Sequence, residues 1–281
     1  MNNNIVSRRH FINAVFVGIA LIMTGIALVW LFLILGSLVI NGVSALNADM
    51  FLKSTPPPGS TGGLLNAIVG SLMMTGVGML IATPIGLLAG AYLSEYGRGS
   101  KLSDMIRFVN DILLSAPSIM IGLFVYTVAV APFRHFSGWA GSIALAIIAI
   151  PILVRTTENI MRLVPDTLRE AAYALGAPKW MVTIKIVQKS VYEGLLTGVL
   201  LALARVSGET APLLFTALNN QFLSFNMSDS LSSLPVVIFQ FAMSPYADWR
   251  TLAWGGAFLI TVSVLFLNIA SRLLIPQKGQ A

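Results

Sequence analysis

The longest polar interruption between two strongly apolar segments of the sequence is PDTLREAAYALGAPKWMVTIKIVQKSVY, from Pro165 to Tyr192. Thr167 and Glu170 have the spacing of a capping box, which predicts the start of a helix at this point. Gly176 is suited to a left-handed helix end and Pro178 to the first turn of a following helix. The stretch therefore predicts two short helices joined by a sharp bend.

The two short helices each have an apolar side. In the first helix the stripe consists of Leu168, Ala171, Ala172 and Leu175. A helix this short is not stable alone, so we expect it to need a groove that holds it. In the second helix the apolar side consists of Trp180, Ile184, Val187 and Val191. The lysines of that helix lie largely off this side, which is typical of a helix at a membrane surface.

The composition is that of a polytopic membrane protein. Hydrophobic residues make up 56% of the 281 positions and charged residues only 10%, far from the average of soluble domains. The absence of cysteine excludes disulfides, zinc–thiolate sites and cysteine nucleophiles. The two histidines, His10 and His135, are predicted on opposite sides of the membrane, which excludes a paired-histidine metal site or a Ser–His arrangement within one chain.

Six segments are long and apolar enough to cross a bilayer. They lie at about 15–40, 67–93, 108–131, 140–154, 192–218 and 252–274. With this topology thirteen lysines and arginines fall on the side of the N-terminus, whereas only Lys53, Arg134 and Arg250 fall on the other side. By the positive-inside rule we expect both termini and the Pro165–Tyr192 stretch to be cytoplasmic.

The fifth segment carries charges near its centre. Arg205 and Glu209 are four residues apart, which on one helix places both side chains on the same face. Charges at this depth are costly, so they must pair or face water or protein. Two interpretations stay open. The pair forms a salt bridge that fixes two helices or subunits, or it lines a substrate path in which the arginine fork binds a tetrahedral oxyanion.

The Pro165–Tyr192 stretch resembles the EAA loop of ABC-importer permeases, with Glu170, Ala171, Ala172, Gly176 and Ile186 matching its pattern. Gln188 and Lys189 stand where that family usually has leucine and proline. The resemblance implies that the matching residues form a cytoplasmic coupling helix, which docks into the ATPase subunit of the importer. The sequence contains no P-loop, so we expect no enzyme activity and no cofactor in this chain, with ATP and Mg²⁺ bound by a partner.

The resemblance also covers most of the chain from the second span onward. The segments 110–119, 170–180, 204–217 and 241–245 are similar to PstA-type permeases of the high-affinity phosphate ABC importer. That family implies a second, related permease, two ATP-binding subunits and an extracytoplasmic phosphate-binding protein as partners. It also implies a role for Arg205 and Glu209 in phosphate passage and a multi-pass location in a bacterial or archaeal cytoplasmic membrane.

These observations together predict an all-α type I ABC-importer permease of about six spans. We expect an N-terminal tail over 1–14, one transmembrane domain over 15–275 and a C-terminal tail over 276–281. Within the domain the predicted coupling loop is 157–190, and the predicted external loops are 41–65, 132–139 and 219–250. Two alternatives remain: an ABC importer for another oxyanion such as sulfate or molybdate, and a secondary anion transporter that uses no ATP.

Overall fold

The computed structural model describes residues 3–273, and it describes the side chains of residues 8–271 and of Leu273. The predicted tail 276–281 lies outside the described residues. Within them the fold is all α, without a strand, as the sequence predicts. The helices are α1 Asn3–Ala45, α2 Ala48–Leu52, α3 Leu65–Ala91, α4 Lys101–Ser115, α5 Ser118–Val125, α6 Gly138–Arg162, α7 Asp166–Ala174, α8 Lys179–Met181, α9 Tyr192–Val206, α10 Ala211–Thr216, α11 Leu234–Ala242 and α12 Ala247–Leu273. π-Helical turns at Tyr92–Tyr96, Tyr126–Val130 and Val182–Gln188 continue α3, α5 and α8.

In the part of the chain that the structure describes, four continuous helices are long and apolar enough to cross a membrane, at Arg8–Ala45, Leu65–Tyr96, Gly138–Arg162 and Ala247–Ser271. Two bent helix pairs also meet these criteria of length and composition. Lys101–Ser115 meets Ser118–Val130 at 104°, and Lys179–Gln188 meets Tyr192–Val206 at 74°. The predicted number of about six spans is therefore reached when each bent pair counts as one.

Three of the predicted spans differ from the structure in their form. The third, predicted as continuous over 108–131, is broken at Ala116 and Pro117, because proline has no N–H to donate and disfavours helical backbone in the residue before it. The fourth, predicted as a short segment over 140–154, is the 25-residue helix α6. The fifth, predicted as continuous over 192–218, ends its first helix at Val206 and resumes as α10.

The centre of the fold is the contact between α3 and α6. Gly86 and Gly90 let the two helices approach closely, since a Cβ at these positions would lie 2.4 Å from Leu153 Cβ and 2.5 Å from Thr157 Cβ. Leu153 is 1% exposed within the main core. α3 passes through Pro84 without interruption. The shorter helices pack against this pair of helices, which we call the frame.

A buried polar group joins two segments at one end of this frame. The Asn66 side chain, 3% exposed, donates hydrogen bonds to Asn220 O at 2.7 Å and to Thr55 Oγ1 at 2.9 Å. Beside it α11 packs against α3 and α12, with Val236 and Val237 fully buried. Asn66 thus fixes the proline-rich segment before α3 against the segment that follows α10.

The first helix lies apart from this frame. The most apolar 18-residue window of α1 has no buried residue, and α12 is its main neighbour among the described elements. The two helices cross where Gly42 faces Phe258, because a Cβ on Gly42 would lie 2.5 Å from Phe258 Cβ. The polar side chains of α1 bond to carbonyls of the same helix, as with Thr24 to Ala20 O at 2.8 Å and Asn41 to Ser37 O at 2.8 Å.

Candidate functional site

Two helix breaks meet at one cavity of about 200 Å³. One break separates α4 from α5 at Ala116 and Pro117, and the other separates α9 from α10 at residues 207–210. The cavity is lined by Leu113, Leu114, Ala116, Pro117, Ser118, Ile121, Ile148, Ile152, Arg205 and Glu209. Irregular backbone at membrane depth is tolerated where it is buried in protein or lines a cavity, so the convergence of the two breaks marks a candidate site.

The structure brings Arg205 and Glu209 to the same cavity, but not by the predicted route. Arg205 lies in the last turn of α9, whereas Glu209 lies beyond the end of that helix, in the turn before α10. The two side chains are therefore not neighbours on one helical face. Within residues 8–271 neither side chain forms an ion pair at 4 Å or less. Arg205 is exposed and Glu209 half-buried, so both charges are available at the cavity wall.

A close contact between α5 and α10 holds the cavity together. A Cβ on Gly122 would lie 2.6 Å from the Cα atom of Pro212. Only glycine permits this approach, since both partners are backbone or ring atoms. Sequence reasoning missed both the break at Pro117 and this contact. The proline itself was the signal for the break, because the residue before a proline is disfavoured in helical conformation.

Replacing Gly122 by valine is expected to destabilise the folded protein by about 1–3 kcal/mol, the usual cost of overpacking. The added side chain must push α5 away from Pro212. Thermal unfolding of the detergent-solubilised chain measures the effect as a lower midpoint. The matched control is Gly76→Val, because Gly76 also lies in a helix but has no neighbouring atom within 4 Å of the place that a Cβ would occupy. Equal midpoints for the two variants would contradict the proposed close contact.

The second candidate site is the bend of the Pro165–Tyr192 stretch. Gly176 has φ of 80°, as the sequence predicts for a left-handed helix end. Its N–H donates to Tyr173 O at 2.9 Å, and the N–H of Ala177 donates to Ala172 O at 3.2 Å. This is the Schellman arrangement that closes a helix C-terminus. The predicted capping box is wrong, because α7 begins at Asp166 after Pro165 and no side chain caps it.

The apolar side of α7 is mostly exposed. Of the predicted stripe only Ala172 is buried, whereas Ala171 is exposed and Leu168 and Leu175 are 41% and 90% exposed. Glu170 is exposed as well. α7 therefore presents the Glu170 carboxylate and several apolar side chains at the surface of this chain.

Only part of the predicted apolar side of the second helix is buried. Val182 and Val187 are fully buried, whereas Trp180 and Ile184 are each 54% exposed. This segment includes the π-helical turn at Val182–Gln188, whose angular spacing of side chains differs from that of an α-helix.

A buried arginine, which the sequence did not single out, anchors α7. Arg169 is 5% exposed and binds both oxygens of Glu95, with Nε at 3.0 Å from Oε2 and Nη2 at 2.8 Å from Oε1. The hydrogen bond with Glu95 raises the pKa of the Arg169 guanidinium, although burial opposes the shift. At the edge of this contact a hydrogen bond from Arg98 lowers the pKa of the Asp166 carboxyl below its ordinary value.

Comparison with known proteins decides the family. Residues 82–279 match the family described as binding-protein-dependent transport system inner membrane component. The chain belongs to this family. Members of the family are multi-pass inner-membrane transport components, which agrees with the apolar helices of the fold.

Relatives within the family extend over almost the whole chain. The phosphate transport system permease protein PstA of Pasteurella multocida is 54% identical over 280 residues, covering all of both chains. The protein of the same name from Haemophilus influenzae is 57% identical over 266 residues, 95% of this chain and 94% of the relative. A PstA protein of Mycobacterium tuberculosis is 34% identical and covers 79% of this chain and 74% of its own length.

Solved structures of ABC transporters share the fold of this family member. The inward-facing MetNI methionine transporter aligns with a TM-score of 0.65 at 20% identity, covering 76% of this chain and 96% of that one. A bacterial alginate transporter aligns with a TM-score of 0.59 at 15% identity, covering 92% and 95%. The predicted ABC-importer permease fold is confirmed.

Proposed function

We propose that this chain is the permease subunit of an ATP-driven ABC importer for inorganic phosphate and forms half of the translocation path. The observation that carries the proposal is the cavity at the two helix breaks, to which Arg205 and Glu209 contribute the charged side chains. The similarity of this chain to phosphate transport permeases supports phosphate as the substrate, because two such permeases are 54% and 57% identical to it over nearly its full length.

The chemistry of the cavity suits an oxyanion. The guanidinium of Arg205 offers planar, parallel N–H donors that match two oxygens of a tetrahedral anion. Glu209, on the same cavity wall, repels an anion and so favours its release after binding. The other interpretation is a salt bridge that locks two helices or two subunits together. The lack of an ion pair at Arg205 within residues 8–271 counts against a salt bridge between helices of this chain. A salt bridge to a second subunit is the alternative that the Arg205→Gln variant tests.

The exposed side of α7 suits the predicted coupling role of Glu170, Ala171, Ala172 and Gly176. Leu168 and Leu175 are apolar and exposed, so docking into a groove of an ATPase subunit would remove them from water. In this proposal two ATP-binding subunits hold ATP and Mg²⁺, and this chain binds no cofactor. A second homologous permease completes the path, and a phosphate-binding protein delivers the anion from outside.

The orientation in the proposal follows from charge. By the positive-inside rule, the thirteen lysines and arginines against three favour a cytoplasmic location for both termini and α7. The ATPase subunits then meet α7 in the cytoplasm, where ATP is available. The binding protein meets the opposite end of the bundle, near the segment fixed by Asn66.

The test is uptake of radiolabelled phosphate into vesicles that contain this chain, the partner permease, the ATPase and the binding protein. We expect uptake that requires ATP and that unlabelled phosphate competes away. If sulfate or molybdate competes and phosphate does not, the importer serves that oxyanion instead. Uptake by this chain alone, driven by a proton gradient without ATP, would establish a secondary transporter and contradict the proposal.

A further inference from the structure

Two buried carboxylates lie at the end of the bundle that carries α7. Glu95 belongs to the π-helical turn after α3 and is 7% exposed, and Glu158 belongs to α6 and is 2% exposed. An isolated buried carboxylate is strongly unfavourable, so each needs a cation that is fixed beside it. Glu95 is paired with Arg169 of α7. Glu158 is paired with Arg107 of α4 and also with Arg162 of its own helix.

Arg169 joins α7 to the ends of α3 and α6. Besides its two bonds to Glu95, it donates from Nη2 to Met161 O at 3.0 Å and from Nη1 to Val164 O and Asp166 Oδ1. All five N–H groups of the guanidinium therefore have acceptors. Met161 and Val164 lie at the end of α6 and just beyond it, so a single side chain fixes three elements.

Arg107 connects α4 to the same two elements. Its Nε donates to Glu158 Oε1 at 2.9 Å, and its Nη2 donates to Leu93 O, two residues before Glu95, at 3.3 Å. Asn110, one turn further along α4, donates to Pro151 O of α6 at 3.2 Å. α4 is thus attached by hydrogen bonds to the α3 turn and to α6.

The other end of α4 reaches the cavity. Leu113 and Leu114, in its last turn, line the cavity together with Arg205 and Glu209. A continuous series of bonded groups therefore runs from α7 through Arg169 and Glu95 to the α3 turn, and from there through Arg107 to α4 and the cavity wall.

We infer that Arg169 and Arg107 are positioning residues that join α7 and α4 into one rigid unit, so that a movement imposed on α7 displaces the cavity wall. The inference rests on the proposed function, since it assigns the step between ATPase docking and opening of the path. Guanidinium groups that bind both carboxylates and backbone carbonyls suit this role because several hydrogen bonds fix their geometry, whereas apolar surfaces can slide past one another.

The direct test is a distance measurement that needs no phosphate. The chain contains no cysteine, so cysteines introduced for spin labels are the only ones in the permease. One pair, Thr167→Cys with Met105→Cys, joins exposed positions of α7 and α4. A second pair, Thr167→Cys with Leu265→Cys, joins α7 to α12. In the assembled importer we expect ATP to change the α7–α12 distance and to leave the α7–α4 distance unchanged.

Breaking the link should release α4 from α7. With Arg169→Gln, ATP is expected to change the α7–α4 distance as well, and uptake per ATP hydrolysed should fall by roughly 3-fold to 30-fold. The matched control is Arg98→Gln. Arg98 also binds α7, through Asp166, but this pair is exposed, with side-chain exposures of 58% and 61%. Exposed ion pairs contribute little to stability, so this control should keep the native uptake per ATP hydrolysed.

Glu95→Gln provides a second variant that keeps hydrogen-bonding groups while removing the buried charge. The double variant Glu95→Gln with Arg169→Gln leaves no unpaired buried charge, so it should be impaired no more than Arg169→Gln alone. If the losses of uptake per ATP hydrolysed in the two single variants multiplied in the double variant, the two residues would act independently, which would contradict a direct pair.

Three results would overturn the inference. The first is an α7–α4 distance that changes with ATP in the native importer. The second is native uptake per ATP hydrolysed in the Arg169→Gln variant. The third is an Arg169→Gln variant whose only defect is a smaller amount of assembled complex. A native importer whose labels move as expected but which takes up no phosphate would instead count against the proposed substrate alone.

Discussion

Replacing Arg205 by glutamine is expected to lower ATP-driven phosphate uptake about 10-fold to 100-fold while the importer still assembles. Glutamine is similar in length but has no charge and no fork of parallel donors, so it cannot replace the guanidinium opposite an oxyanion. A hydrogen bond to a charged group contributes about 1.5–3 kcal/mol, which corresponds to a loss of about 10-fold to 100-fold in transport. Because Arg205 is exposed at the cavity and forms no ion pair in residues 8–271, its removal leaves no buried partner behind.

The measurement is phosphate uptake normalised to the amount of assembled complex. Arg205→Lys keeps the charge but not the fork, so its uptake should lie between those of the native protein and Arg205→Gln. Arg250→Gln is the matched control, since Arg250 is a surface residue at the start of α12. Native uptake in a stably assembled Arg205→Gln importer would contradict the substrate path and leave a packing role for Arg205.

Replacing Gly176 by valine should prevent coupling while leaving the membrane domain intact. At φ of 80° a β-branched side chain meets the backbone, and the left-handed conformation costs about 1–2 kcal/mol for residues other than glycine. The bend between α7 and α8 must then change, and the Schellman bonds to Tyr173 and Ala172 are lost. We expect about a 10-fold weaker association with the ATPase subunit, the equivalent of about 1.4 kcal/mol, and a corresponding loss of uptake.

The structure provides a close control for this variant. Gly59 has φ of 77° and no atom near a potential Cβ, but it lies in the predicted external loop. Gly59→Val therefore introduces the same backbone strain far from α7 and should leave ATPase association unchanged. If both variants bind the ATPase equally well, the bend at Gly176 has no part in docking. Association is measured by co-purification of the ATPase subunit with the permease from detergent.

The sequence predicted those features that depend on local rules. Gly176 is one example, since a glycine after a short apolar stripe indicates a left-handed helix end whatever the rest of the fold does. The spans are another, because bilayer thickness sets their length. The break at Pro117 was also predictable in principle from local rules, but a continuous apolar segment concealed it.

The parts that sequence reasoning missed depend on distant residues. Glu95 and Arg169 are 74 positions apart, and neither has a neighbour in the sequence that identifies its partner. The position of Glu209 likewise depends on where α9 ends, which packing against α6 and α12 helps to decide. The roles of Arg205, Glu209, Glu170 and Gly176 in transport stay predictions, because geometry locates these side chains without showing what passes them.

The pairing of α1 with α12 also bears on how the protein is made. α1 is synthesised before α12, its main contact among the described elements, so α1 must remain in the lipid while the helices between them are synthesised. It can do so because its polar side chains, such as Thr24 and Asn41, already bond to carbonyls of their own helix. The docking of α12 therefore completes the packing of α1, and a chain truncated before α12 would leave α1 without its main neighbour among the described elements.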